Sequence, residues 1–448
     1  MVNKQIYIFF LVALLLLCTT AWAAAPGEVT ERTLPNGLKV LLVEDHKSPL
    51  SIFQIWYRVG SKDEPAGLSG LSHLLEHMMF KGTEQYGTKV LSRTVNRNGG
   101  VDNAFTSKDY TAYFQILPSD RIGLSLKFES DRMRNLLLKA DETLAERNVV
   151  MEERRLRYED VPRNSLDELV TATAFNVHPY STPVVGWMSD LENITPEDLY
   201  AHYRKFYSPD NAFIVAVGDF DTDKLFAEIE KYFGSIPSGN GIRTQKYLEP
   251  EQKGIRRVYL KKEAQLPYLV MAFHVPNFPH KDSFALDVMS EILGGGKSSR
   301  LHKDIVYNNK KALGVSAGYY GTMRDPYLLE ISGTATDGTT AEELEGMINN
   351  HIGRIMNAVP SEFELQKAKN RLEATHIMQQ DSIYSQAMIL GWSEMTMGWE
   401  FKDDYLKGIR EVTAEDIKRV ARKYMIEDNS TVGILIPQKS RNQPVEAQ

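Results

Sequence analysis

The chain has 448 residues, 42% hydrophobic and 25% charged, a balance that excludes a chain disordered throughout and a polytopic membrane protein. That length corresponds to about two to four domains. The formal net charge of -7 argues against a nucleic-acid partner, which usually requires a basic face.

Residues 1–23 have the layout of a secretory signal peptide. Lys4 supplies one positive charge, residues 6–17 form an almost purely apolar run, and Ala21-Trp22-Ala23 is a small-x-small cleavage site. The run is short for a membrane span, and the absence of Arg sets it apart from a mitochondrial transit peptide. The other readings are an uncleaved anchor, or lipidation of Cys18, for which Leu17 is too large. Cys18 is the only cysteine, so cleavage after Ala23 leaves a mature chain that does without disulfides in an oxidising compartment. The expectation is an exported protein with no membrane span after maturation, periplasmic if the source is Gram-negative.

Residues 38–43 and 51–59 read as paired strands, 68–80 as a helix, 111–117 as an alternating strand and 142–157 as a helix. The sequence then shows a repeat. Ile194-Thr195-Pro196-Glu197-Asp198-Leu199 matches Val412-Thr413-Ala414-Glu415-Asp416-Ile417, and at the same offset Arg204-Lys205-Phe206-Tyr207 matches Arg422-Lys423-Tyr424-Met425. Each copy begins with a Thr N-cap and an acidic first turn, and an apolar strand follows (213–217 and 431–436). Between the copies the earlier order recurs: strands at 257–260 and 268–274, a helix at 284–293, a strand at 327–332 and a helix at 362–379. This predicts an α+β protein of two homologous domains, each a mixed or antiparallel sheet with helices on one face. The domains are residues 24–236 and 251–448, and the Pro- and Gly-rich stretch from Ile236 opens a linker over 237–250.

Chemistry concentrates in the first half. His73-Leu74-Leu75-Glu76-His77 puts two imidazoles on one helical face, with a carboxylate on nearly the same face. Two neutral imidazoles can fill two corners of a tetrahedral zinc site, and a neighbouring carboxylate can serve as general base. The remaining positions, Leu68, Leu71, Leu74, Leu75 and Met78, are apolar, and burying the polar trio without a partner would cost several kcal/mol. The alternative is a pair of hydrogen-bonded core histidines beside a surface Glu. The order H-x-x-E-H is the inverzincin signature. A third ligand must come from elsewhere, and helix 142–157 offers Glu146, Glu152 and Glu153. Spacing alone leaves these open against a solvated helix face paired to Arg147, Arg154 and Arg155. Gly296-Lys297-Ser298 lacks the first Gly of a phosphate loop, since Glu291 stands there, and is read as a helix end and turn.

From Thr33-Leu34-Pro35-Asn36-Gly37-Leu38 onward, the chain resembles the pitrilysin/insulinase family of zinc metallopeptidases. It is most similar to the branch of roughly 450-residue subunits related to mitochondrial processing peptidase. Ser72-His73-Leu74-Leu75-Glu76-His77-Met78-Met79-Phe80-Lys81-Gly82-Thr83 resembles the family's active-site helix and its exit. The resemblance implies half of a clamshell and one zinc per chain, held by His73, His77 and Glu153, with Glu76 as base and Glu146 orienting the site. It implies substrate contacts at Asn103, Ala104 and Phe105, within Gly99-Gly100-Val101-Asp102-Asn103-Ala104-Phe105-Thr106.

The second half carries no counterpart of the zinc triad. Complete members of the family place an Arg and a Tyr, seven apart, in this half, and alignment puts Asn308 and Val315 at those positions. The implied function is a zinc endopeptidase for extended peptides. It would be the metal-bearing subunit of a hetero-oligomer whose paralogous partner supplies Arg and Tyr. Arg324, Tyr319 and Tyr320 are the alternative donors within this chain. The rival from another class is a non-catalytic peptide-binding or assembly subunit, against which the intact His73, Glu76, His77 and Glu153 stand.

Overall fold

The computed structural model describes residues 27–439 apart from 240, 243 and 244, so the signal-peptide segment 1–23 lies outside the described residues. The first sheet contains β1 (Val29–Thr33), β2 (Lys39–Glu44), β3 (Leu50–Tyr57), β4 (Val101–Thr106), β5 (Thr111–Pro118) and β6 (Ala212–Gly218), in the order β1-β2-β6-β3-β5-β4. The second contains β7 (Arg256–Glu263), β8 (Tyr268–Val275), β9 (Ala312–Tyr319), β10 (Tyr327–Ala335) and β11 (Ser430–Gln438), in the order β7-β11-β8-β10-β9. In both, the last strand inserts between two earlier ones, β6 between β2 and β3 and β11 between β7 and β8, parallel to the first of each pair and antiparallel to the second. That insertion makes each sheet mixed and leaves β4 and β9 as matching free edges.

Besides the short helices Val90–Arg97 and Met188–Leu191, the helices of the first half are α1 (Leu71–Met78), α2 (Gly123–Asn135), α3 (Ala140–Arg154), α4 (Pro162–Ala174), α5 (Pro196–Phe206) and α6 (Thr222–Phe233). Those of the second are α7 (Asp282–Gly294), α8 (Ala341–Asn357), α9 (Glu362–Gln379), α10 (Ile383–Thr396), α11 (Phe401–Glu411) and α12 (Ala414–Tyr424). The repeated Thr caps act as the sequence predicts: Thr195 and Asp198, and Thr413 and Asp416, close reciprocal capping boxes at α5 and α12. Each half packs its own helices on one face of its sheet, with α1, α2, α3, α5 and α6 over the first and α7, α8, α9, α11 and α12 over the second. Among the described residues, no helix is long and apolar enough to cross a membrane.

The other face of each sheet is covered by a helix from the opposite half. Ala387, Met388, Leu390 and Met395 of α10 pack on Trp56 and Phe213 of the first sheet. Leu166, Val170 and Ala174 of α4 pack on Val270, Ala272, Leu328 and Leu435 of the second. Both contacts close around a glycine. A Cβ on Gly391 would lie 2.1 Å from the Trp56 ring, and one on Gly433 would lie 2.2 Å from a Val170 methyl. Glu394 on α10 is buried and meets Lys39 at 3.0 Å and Arg58 at 2.9 Å, adding a charged clasp to the exchange. The chain between the halves is also pinned, because the Glu249 carboxylate accepts the N–H groups of Asn176, Val177 and His178 (2.7, 2.9 and 2.9 Å).

Gly391→Ala tests this exchange. Alanine favours a helix over glycine by about 1 kcal/mol, but overpacking a filled contact costs about 1–3 kcal/mol, and the rigid indole cannot yield. The expected outcome is net destabilisation in denaturant melts with the fold retained. Unchanged or raised stability would show that α10 is only loosely seated.

Candidate metal centre

Helix α1 starts at Gly70, whose φ of 96° suits glycine. A Cβ there would also come within 2.7 Å of the Val185 carbonyl. The helix caps no N–H with a side chain of its own. Instead Glu64 reaches in from the preceding loop and accepts the Gly70 and Ser72 N–H groups, each at 2.7 Å. Leu71, Leu74, Leu75 and Met78 are buried in the first core. Burial of that stripe turns His73, Glu76 and His77 toward α3 and β4.

The three candidate carboxylates of α3 separate cleanly. Glu153 lies 3.9 Å from His73 Nε2 and 3.4 Å from His77 Nε2. Glu146, two turns earlier on the same face, accepts from His77 Nδ1 at 2.9 Å. Glu152 is exposed and pairs with Arg155 at 3.1 Å. Of the arginines set against these acids, Arg147 instead caps the Glu192 and Ile194 carbonyls, and Arg154 forms a two-pronged pair with Glu168. One donor atom from each of His73, His77 and Glu153 lies within 4.8 Å of the others. Corners of a tetrahedral zinc site stand about 3.3 Å apart at zinc–ligand distances of about 2.0 Å, so the set fits a metal after a small contraction. The donor chemistry fits too, because Glu146 fixes the His77 ring through Nδ1 and leaves Nε2 facing Glu153. His73 Nδ1 is buried without a hydrogen-bond partner.

Electrostatics separates the two imidazoles. Burial, and then the neighbouring His77, push His73 down to about 4. Burial also opposes charge on His77, but its bonds to Glu146 and Glu153 prevail and hold it up at about 9. The His77 bond, reinforced by Lys81 at 2.5 Å, drops Glu146 to about 2. Glu153 is lowered mainly by His77, and Arg157 pairs with it at 2.7 Å. Burial raises Glu76, although the Thr106 hydroxyl donates to its Oε2 at 2.5 Å.

Thr106, Lys81 and Arg157 escaped the sequence reading. Lys81 lies four residues after His77, and Arg157 four after Glu153 in the π-helical turn Arg155–Glu159, so helical spacing could have marked both. Thr106 arrives from β4 and leaves no local signal.

The other predicted residues are dispersed. On β4, Ala104 packs toward α1, whereas Phe105 packs on the opposite face against Trp56, with ring centroids 5.4 Å apart. Strand alternation puts Asn103 on the Phe105 side, and its amide oxygen accepts the Ala104 N–H at 2.9 Å. Asn308 ends the π-helical turn His302–Asn308, and Val315 is buried in the second core. The Tyr319 hydroxyl is spent on the Pro276 carbonyl at 2.7 Å. Tyr320 lines a cleft of about 610 Å³ between the halves that also touches Thr106 and Tyr158.

Residues 39–186 match the family described as Insulinase (Peptidase family M16), and residues 193–372 match the Peptidase M16 inactive domain. The chain is 33% identical to zinc protease PqqE of Helicobacter pylori over 90% of this chain and 92% of that one. It is 25% identical to the probable mitochondrial-processing peptidase subunit beta of Arabidopsis thaliana over 92% and 78% of the two chains. The crystal structure of a protease from Helicobacter pylori superposes with a TM-score of 0.89 at 31% identity, covering 92% of this chain and all of that one. The periplasmic protease PqqL of Escherichia coli shares the fold at 19% identity, with a TM-score of 0.77 over 93% of this chain and 48% of that one. The chain belongs to peptidase family M16.

With His77 held up at about 9 by its two carboxylates and His73 pushed down by burial, the metal-free chain is expected at pH 7.5 to protonate His77 and not His73. A metal ligand must shed its proton, so zinc binding at that pH should release about one proton. Because His77 sits at about 9, zinc affinity should fall as the pH drops below that value. Calorimetric titration in buffers of differing ionisation enthalpy measures the proton count. Release of none would show that His77 is either neutral before the metal binds or outside its shell.

Proposed function

We propose that this chain is the zinc-bearing subunit of an endopeptidase that cuts extended peptides in an enclosed chamber. The observation that carries the reading is the convergence of His73, His77 and Glu153 beside Glu76, next to the free edge of β4. His73, His77 and Glu153 would hold the ion. When bound, zinc supplies a Lewis acid that polarises a carbonyl and acidifies water.

The chain's own groups do the rest. Glu76 takes the proton of the attacking water and hands it to the leaving amine. Its raised affinity for protons suits that traffic, and Thr106 keeps its carboxylate from turning away. Glu146 fixes the His77 ring. A peptide adds to β4 as a further strand, and Asn103 must first release the Ala104 N–H that its side chain occupies. Asn308 and Val315 offer no hydrogen-bond donor comparable to Arg and Tyr, so the groups that stabilise the oxyanion come from a paralogous partner subunit. The protein works after export, in the periplasm of a Gram-negative source.

Glu76→Gln should keep about one zinc per chain, by metal analysis, and lose roughly 10²–10⁴-fold in kcat. Wild-type turnover would remove Glu76 from the role of base. Thr106→Val should lower kcat on the order of tenfold, the worth of a hydrogen bond to a charged group, with KM little changed and activity restored by Thr106→Ser.

The isolated chain, fully loaded with zinc, should turn over a mixed peptide library poorly, because each missing oxyanion donor is worth about 2.7–4 kcal/mol. Addition of a paralogue that lacks the zinc motif and keeps Arg and Tyr should restore activity. Full turnover by the chain alone would refute the split site and leave the metal assignment standing.

A further inference from the structure

A second cavity, of about 250 Å³, lies in the other half, enclosed mainly by α7, α9, α10 and α11. Its volume is below the roughly 300–1,000 Å³ of drug-sized sites, so it suits a single side chain or a short aliphatic molecule. One side of its wall is aromatic, and His376 and Lys402 also line it. Phe278 stands at the centre, with ring centroids 5.8 Å from Tyr319, 5.3 Å from Phe401 and 5.7 Å from Tyr405. Gly321 brings the β9–β10 loop against these rings, since a Cβ there would lie 2.4 Å from Tyr319 and 2.6 Å from Phe278.

One wall residue is an acid. Asp287 of α7 is enclosed by protein yet keeps part of its surface open to the cavity. Its carboxylate has one hydrogen-bond donor, the Tyr405 hydroxyl at 2.7 Å, and no ion-pair partner among the described residues. The nearby charges are committed elsewhere: Glu291 pairs with Arg371 at 3.1 Å, and Lys402 with Asp403 at 2.6 Å. A buried carboxylate met only by a phenol is poorly compensated, and burial pushes Asp287 up to about 6. The faces of aromatic rings attract cations when water is excluded. Four aromatic rings and one carboxylate without an ion-pair partner among the described residues line the same cavity, a combination that can receive a small organic cation.

We propose that this cavity is a binding site for an aliphatic primary ammonium group, held by Asp287 and walled by Phe278, Tyr319, Phe401 and Tyr405. The lysine side chain and free alkylamines share that chemistry. The site is independent of the metal centre and rests on none of the zinc assignments.

The test uses the full-length chain, with zinc present, titrated with n-butylammonium and with its neutral counterpart 1-butanol by calorimetry and ligand-observed NMR. Saturable binding of n-butylammonium is expected, with 1-butanol at least tenfold weaker. Asp287→Asn should weaken n-butylammonium at least tenfold. Tyr405→Phe, which keeps the carboxylate and removes its present donor, should retain or tighten binding, so the proposal stays testable if Asp287→Asn fails to fold. N-acetyl-lysine-N-methylamide identifies the source: binding with the same Asp287 dependence points to a peptide side chain, and its exclusion while n-butylammonium binds points to free amines. Equal binding of 1-butanol, binding unaffected by Asp287→Asn, or loss of binding in a folded Tyr405→Phe would overturn the proposal.

Discussion

The site depends on a single ring, His77, held between two carboxylates of one helix. Glu146 grips Nδ1, and Glu153, seven residues later, faces Nε2. Without a metal, the second contact is balanced by a proton, with Lys81 and Arg157 neutralising the outer oxygens. A divalent ion would take the place of that proton after a small contraction of the donor atoms. Two charged partners on one helix also fix the distance and rotation of α3 relative to α1. The geometry that orients the candidate ligands therefore contributes to the packing of the two helices, and a change in either pair should disturb both.

That local arrangement sits on a scaffold whose halves cannot separate cleanly. Exchange of α4 and α10 leaves each sheet dependent on the other half for one of its faces. The polar contacts run to the site itself. Just beyond Thr106, the buried Asp109 carboxylate accepts the Tyr180 hydroxyl and the backbone N–H of Arg324, and the same hydroxyl accepts the Asp325 N–H. A shift of the second half would therefore pull on the β4–β5 turn and on the hydroxyl that holds Glu76.

Much of this was legible in the sequence because it is periodic or local. The repeat gave the two domains, the caps of α5 and α12 were written in Thr-x-x-Asp, and His73, Glu76 and His77 followed from helical spacing. Spacing could not choose among Glu146, Glu152 and Glu153, because side-chain direction on α3 is decided by what α1 presents. The helix exchange was invisible for a similar reason: an apolar face on α10 states that it will be buried, and says nothing about which sheet will bury it. Thr106 was missed because strand and helix meet only in the tertiary fold. The substrate contacts Asn103, Ala104 and Phe105 rest on the family resemblance alone, and strand alternation places Ala104 on one face of β4 and Asn103 and Phe105 on the other.

The duplication also explains why the two halves differ in chemistry. Both carry a helix over the sheet between matching strands, α1 in the first and α7 in the second. Helix α1 has eight residues and ends beside the free edge β4, so its polar face meets α3 across an accessible gap. Helix α7 runs for 13 residues and is buried along most of its length. Its carboxylates Asp282, Asp287 and Glu291 find Arg419 and Lys423, Tyr405, and Arg371 respectively, where α1 finds further metal-ligating groups. A site lined by two imidazoles and a carboxylate selects a small hard-to-borderline cation. A site lined by one carboxylate and aromatic faces selects an organic one. The same backbone plan thus yields two different kinds of candidate cation site, decided by which side chains the buried helix turns toward its neighbours.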